Sequence, residues 1–120
     1  MKTFNNILAI ETSGPICSIA LRSEKRIESA CSKNENEHGL VILNFIEKLL
    51  KKSGLKKNEL DLIAISNGPG SFTGLRVANS VAQALAFANN IPLLPISSLA
   101  VLANQASIKL EKNRIFVIVN

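Results

Sequence analysis

Residues 60–66 read L-D-L-I-A-I-S, a short apolar run that must be covered on both sides, and they lead directly into N-G-P-G-S-F-T-G-L-R. A strand apolar on both faces belongs inside a sheet with helices packed on it rather than in a two-sided meander open to water. The glycine-rich turn then opens a helix over 73–89, with Pro92 marking its end and 92–97 forming another short strand. This strand, turn, helix and strand constrain the fold more than any other stretch, because they demand a layered α/β arrangement.

The residues before it add an antiparallel meander. Residues 7–12 (I-L-A-I-E-T) form a short strand ending in polar side chains, Ser13-Gly14-Pro15 makes a turn, and 17–21 and 26–31 continue the extended runs. A helix follows from His38-Gly39 to about Lys52, stopped at Gly54; its apolar set, from Leu40 to Leu50, is wider than one core stripe. Ser98 is placed to cap a further helix running to about Ala106, and 114–119 (R-I-F-V-I-V) reads as a last strand. The expected product is an α/β domain with a mixed five-stranded sheet and helices packed on it, the pattern of ribonuclease-H-like and actin-like folds. The last run is either an edge addition or the first strand of a second lobe.

With 120 residues the chain suits one domain, since a chain of this size buries about two-thirds of its unfolded surface. The absence of Trp and Tyr leaves little for stacking on bases, which argues against an autonomous single-strand binder. The net charge of +5 draws on Lys48, Lys51, Lys52, Lys56 and Lys57, with Arg22, Lys25 and Arg26 around a hairpin turn. These cations read either as solvated faces or as a strip attracting RNA phosphates. No segment reads as a signal peptide or membrane span, so a cytoplasmic chain that does not meet the membrane is expected. Cys17 and Cys31 are too few for a metal site; two buried thiols are expected, with a strand-to-strand disulfide as the alternative.

The helix over 75–88 carries one charge, Arg76. Val77, Val81, Leu85 and Ala88 are expected on the sheet side, leaving Ala78, Ala82 and Ala86 outward as a small-residue surface for a partner helix. Val41 and Phe45 of the preceding helix would join that partner interface.

In the turn itself, Gly68 and Gly70 supply backbone freedom around Pro69, Ser71 or Thr73 can cap the helix, and Gly74 permits close approach. Free amides at a helix start attract anions, so Gly68, Gly70, Ser71, Thr73 and Gly74 form a candidate phosphate or nucleotide site beside a purely structural reading. The turn lacks the Lys of a P-loop. The hairpin Glu11-Thr12-Ser13-Gly14 is the other candidate, with Glu11 either facing a magnesium ion or simply solvated. His38 is the only histidine, so a paired-His metal site is excluded, and no catalytic residue is assigned.

The pattern I-L-A-I-E-T-S, C-S-I-A-L, E-H-G and N-G-P-G-S-F-T-G-L-R resembles the TsaB (YeaZ) family of the wider TsaD-like superfamily, over about residues 7–120. The resemblance implies the first lobe of a two-lobed actin-like protein, with the second lobe absent or truncated and 114–120 a candidate for its first strand. It implies a non-catalytic subunit supporting a TsaD-like enzyme, with a TsaE-like ATPase, in making N6-threonylcarbamoyladenosine in tRNA. ATP and metal would belong to those partners, and tRNA would be met only through the complex. Glu11 departs from the Asp common in the family. Two alternatives stay open: a homodimeric actin-like scaffold, and a weak nucleotide-binding or ATP-hydrolysing module.

Overall fold

The computed structural model describes residues 3–24, 26–34 and 39–118. Its elements are β1 (Asn6–Glu11), β2 (Ser18–Ser23), β3 (Arg26–Cys31), α1 (Gly39–Ser53), a 3-10 turn at Lys57–Glu59, β4 (Leu62–Ser66), α2 (Phe72–Asn89), β5 (Leu93–Ile96) and α3 (Ser98–Leu110). The sheet order is β3-β2-β1-β4-β5; β1, β2 and β3 pair antiparallel, whereas β1, β4 and β5 run parallel. His38, expected at the entrance to α1, lies outside the described residues.

Alternation along the strands sorts the sheet into two unlike faces. Leu8, Ile10, Ile19, Leu21, Ile63 and Ile65 point to the side covered by α1 and α2, where they meet Ile42, Ile46 and Leu49 in the core. On the opposite side Ala9, Ala20 and Ala64 share a row, bordered by Val101 of α3. Burial of the first set is the main stabilising term, at roughly 25 cal/mol per Å² of apolar surface.

The helix ends follow the chain's own signals. Gly54 takes a positive φ of 69°, and Leu55 donates back to the Leu50 carbonyl at 3.0 Å, closing α1. Ser71 caps α2 by accepting from the Gly74 amide at 3.2 Å, and Asn90 ends it in the left-handed region. At α3 the expectation fails. Ser97, not Ser98, is the cap residue; Ser98 lies inside the helix, with its side chain buried and its amide donating to the Gly68 carbonyl at 2.9 Å. The helix also runs to Leu110, past Ala106, because no helix breaker intervenes.

The faces of α2 are the reverse of the expected ones. Ala78, Ala82 and Ala86 lie against the sheet with Gly74, Ala82 being 0% exposed, while Val77, Val81 and Leu85 are half-buried and Ala88 is exposed. Small side chains let a helix sit low on a sheet, so the alanine stripe is an internal contact and offers nothing to a partner. The larger residues turn toward α1 instead.

The expected strand over 114–119 does not pair within the described residues. Residues 115–118 are unpaired, with Phe116 92% and Ile118 79% exposed. The β5 edge of the sheet is a poor template. Pro92 and Ile96 turn their carbonyls inward to β4, so Pro95 sits where an outward N–H would be needed and has none.

The two cysteines are free, but only Cys17 is buried. Cys31 opposes Ser18 in the β2–β3 register, so alternation puts it on the face away from Cys17, and the expected pair of buried thiols does not form. Burial, with a smaller contribution from Cys31, pushes the Cys17 thiol up to about 11. Cys31 should therefore alkylate readily in the native protein and Cys17 only on unfolding, an order that peptide mapping after a timed iodoacetamide pulse reads directly. Ala82→Leu should lower stability by about 1–3 kcal/mol in urea titration, whereas Ala84→Leu on the exposed side should change it by less than about 0.5 kcal/mol.

Candidate functional site

The hairpin after β1 and the turn after β4 meet at the same end of the sheet, since those strands are parallel neighbours. Ser71 donates its amide to the Ser13 carbonyl at 2.6 Å, and the buried Thr12 hydroxyl donates to the Gly74 carbonyl at 2.9 Å. Between these bonds the two backbones almost touch. A Cβ on Gly70 would lie 2.6 Å from the Ser13 Cβ and nearer still to its carbonyl oxygen. Gly70 is thus required for space, and Gly68, at φ 106°, for conformation.

Glu11 closes the same corner. Its Oε1 accepts from the Ser13 amide at 2.6 Å, from the Ser13 hydroxyl, and from the Ser66 hydroxyl at 3.0 Å. The carboxylate therefore ties β1, the hairpin and the end of β4 together. Ser66 also receives the Thr12 amide at 3.4 Å.

The residues named as a phosphate or nucleotide site are brought together, and part of their donors is spent within the chain. The amides of Ser13, Ser71 and Gly74 and the hydroxyls of Thr12 and Ser13 all bond within the chain. Thr73 is exposed, and Gly14 has open space around it. The Glu11 carboxylate already occupies both Ser13 donors, and a second anion beside it would be repelled. Among the described residues no group of three or more His, Cys, Asp and Glu side chains is placed to hold a metal ion.

Two concave surfaces flank α2. A groove of about 700 Å³ runs along its outer side, from the 67–70 turn and the exposed Phe72 to Leu93 and Pro95. Arg76 lies over the Phe72 ring at 5.1 Å, so the helix's one charge is stacked at the groove's mouth. On the other side a cleft of about 370 Å³ separates α2 from α1 and is lined by Leu43, Ile46, Ser80, Val81, Ala84 and Leu85, with Glu47 and Lys57 at its end. Val41 and Phe45, named as interface residues, are half-buried against the core; the cleft is made instead by Leu43, Ala84 and their neighbours. Sequence spacing missed the α2 side of this cleft because it put the wrong face of that helix on the sheet.

An antiparallel meander continued by parallel strands, with helices on both faces, defines an actin-like, ribonuclease-H-like domain. The model of the tRNA N6-adenosine threonylcarbamoyltransferase (TsaD) family matches residues 31–119, and the chain belongs to that family. Within it, the chain is similar to proteins named TsaB. It is 40% identical over 114 residues to the tRNA threonylcarbamoyladenosine biosynthesis protein TsaB of Buchnera aphidicola subsp. Schizaphis graminum, covering 95% of this chain and 54% of that protein. It is 42% identical over 102 residues to the TsaB of Haemophilus influenzae, covering 83% and 42%. The solved YeaZ from Pseudomonas aeruginosa matches with a TM-score of 0.82 at 38% identity, over 89% of this chain and 50% of that one. The chain thus spans about half the length of these relatives.

Gly70→Ala should cost at least about 2 kcal/mol in urea titration, because backbone rather than a flexible side chain must give way. Gly14→Ala, with nothing near the added methyl, should stay within about 0.5 kcal/mol of the parent.

Proposed function

We propose that this chain is the amino-terminal lobe of a TsaB-type subunit, which supports a TsaD-like transferase in making N6-threonylcarbamoyladenosine in tRNA and does not carry out the transfer itself. The observation behind this reading is the cleft between α1 and α2, where Leu43 is 50% exposed beside Val81, Ala84 and Leu85. An apolar cleft between two helices, with no acidic residue anywhere on α2, suits a helix of another protein laid against it.

The hairpin speaks for a supporting role. Glu11, the carboxylate best placed for nucleotide or metal chemistry, is held by three hydrogen bonds from its own chain. Its work is to fix the corner. In this reading ATP and metal belong to the TsaD-like and TsaE-like partners, tRNA is met through the complex, and the setting is the cytoplasm. Among the described residues no helix is long and apolar enough to cross a membrane.

Sedimentation with the same organism's TsaD-like subunit tests the proposal. Leu43→Arg and Ala84→Arg should each weaken the complex at least about tenfold, by burying a charge in the apolar contact. The thermal midpoint should be unchanged, since both positions are exposed. Retained binding by both variants would place the contact elsewhere. A homodimer broken by the same substitutions, with no heteromeric complex, would favour the self-associating scaffold.

A further inference from the structure

The cations noted in the sequence become a surface in three dimensions. Residues 47–59 carry Lys48, Lys51, Lys52, Lys56 and Lys57 against Glu47 and Glu59, so five minus two places +3 of the chain's net +5 within this segment. The fold gathers it at one end of the lobe. The last turns of α1, the loop after Gly54 and the end of α2 together line a groove of about 540 Å³, with Lys51, Lys56, Lys57, Asn58 and Asn89 on its walls beside Leu50 and Leu55. All three lysines and Asn58 are exposed, and the long side chains can reach outward without desolvation.

Ion pairing accounts for part of this charge and leaves a remainder. Glu28 takes Lys52 at 2.9 Å together with Arg26, and Glu47 takes Lys57. The Lys52 hydrogen bond, with Arg26 adding to it, holds the Glu28 carboxyl below its usual range. Lys48, Lys51 and Lys56 are in no ion pair among the described residues. The α1 dipole explains basic residues in its last turn, Lys51 and Lys52. It does not explain Lys56 and Lys57, which lie beyond the helix.

The groove is also continuous with the proposed partner cleft, because Glu47 and Lys57 line both. We infer that this basic groove contacts the tRNA phosphate backbone directly, so that an enzyme docked on the α1–α2 cleft and the lobe itself hold one RNA between them. The inference rests on the proposed function for its choice of polyanion. Phosphate recognition needs no aromatic platform, which agrees with a chain lacking Trp and Tyr. An anionic membrane is the less suitable partner: the groove's two leucines, Leu50 and Leu55, are buried and half-buried, which leaves no exposed large apolar group there to insert.

The test is fluorescence anisotropy with an unmodified tRNA transcript, using the protein alone and with the transferase subunit, between about 50 and 200 mM salt. The triple variant Lys51→Glu and Lys56→Glu on the groove wall, with Lys48→Glu one turn earlier on α1, should bind at least about tenfold more weakly, with a log K against log salt slope shallower by roughly 2 to 3. A control triple of equal charge change, Lys33→Glu, Lys109→Glu, Lys112→Glu, should lose no more than about threefold, as expected for general field effects. Undiminished binding by the groove triple, equal losses in both triples, or no tRNA binding by the parent in either setting would overturn the inference. So would equal, equally salt-sensitive binding to phosphatidylserine vesicles. Transferase binding is measured separately by sedimentation. If the groove triple still joins the transferase and its tRNA affinity is unchanged, the groove fails while the subunit reading stands. If the parent never joins the transferase, the subunit reading fails and tRNA binding by the protein alone decides the groove.

Discussion

Gly70 has no side chain because Ser13 occupies the volume where one would be. That contact sets the height of α2 above the sheet. Ser71 bonds Ser13 on one side of it and Thr12 bonds Gly74 on the other, so the helix begins pinned to the β1–β2 hairpin at both backbone and side chain. A helix pinned so low can present only methyl groups downward. Gly74, Ala78, Ala82 and Ala86 fill that line at four-residue spacing, and Val81 and Leu85 are forced sideways toward α1. The cleft proposed for a partner is thus a consequence of one close backbone approach some distance from it.

The same corner is braced from within the chain. Glu11, Ser13 and Ser66 form a closed set of hydrogen bonds in the place where a hairpin could have offered free donors. A satisfied network of this kind rigidifies its surroundings. Rigidity at the corner and apolar surface on the helices are the properties of a platform. The cations collected at the opposite end of the strands extend that role to a polyanion, since Asn6 opposes Ser23 there and Asp61 donates its amide to the Asn6 carbonyl beside the loop.

Much of this was readable from residue types. The strand that ends at Ser66 (two residues shorter at its start than expected), the stop at Gly54 and a cap at Ser71 or Thr73, which the structure assigns to Ser71, each rest on local stereochemistry, which acts over a few residues and needs no neighbour. The face of α2 was not readable, because valine and leucine point inward only where the underlying sheet leaves room for them. Hydrophobicity ranks Val77 above Ala78, whereas the space beneath the helix ranks them the other way. Ser98 was misplaced by one residue for a related reason: Gly68 holds its amide, and that bond fixes where α3 begins.

Order along the chain, the meander followed by parallel strands, and the need for glycine in the 68–74 turn were determined by the sequence alone, through φ restrictions and apolar periodicity. Tertiary structure decided which side of α2 is buried and that residues 115–118 find no partner strand. It also made Glu11 a brace and brought the lysines of α1 and its following loop to the wall that ends at Asn89. These outcomes depend on distances between segments far apart in the chain, and no local pattern of residues encodes such distances.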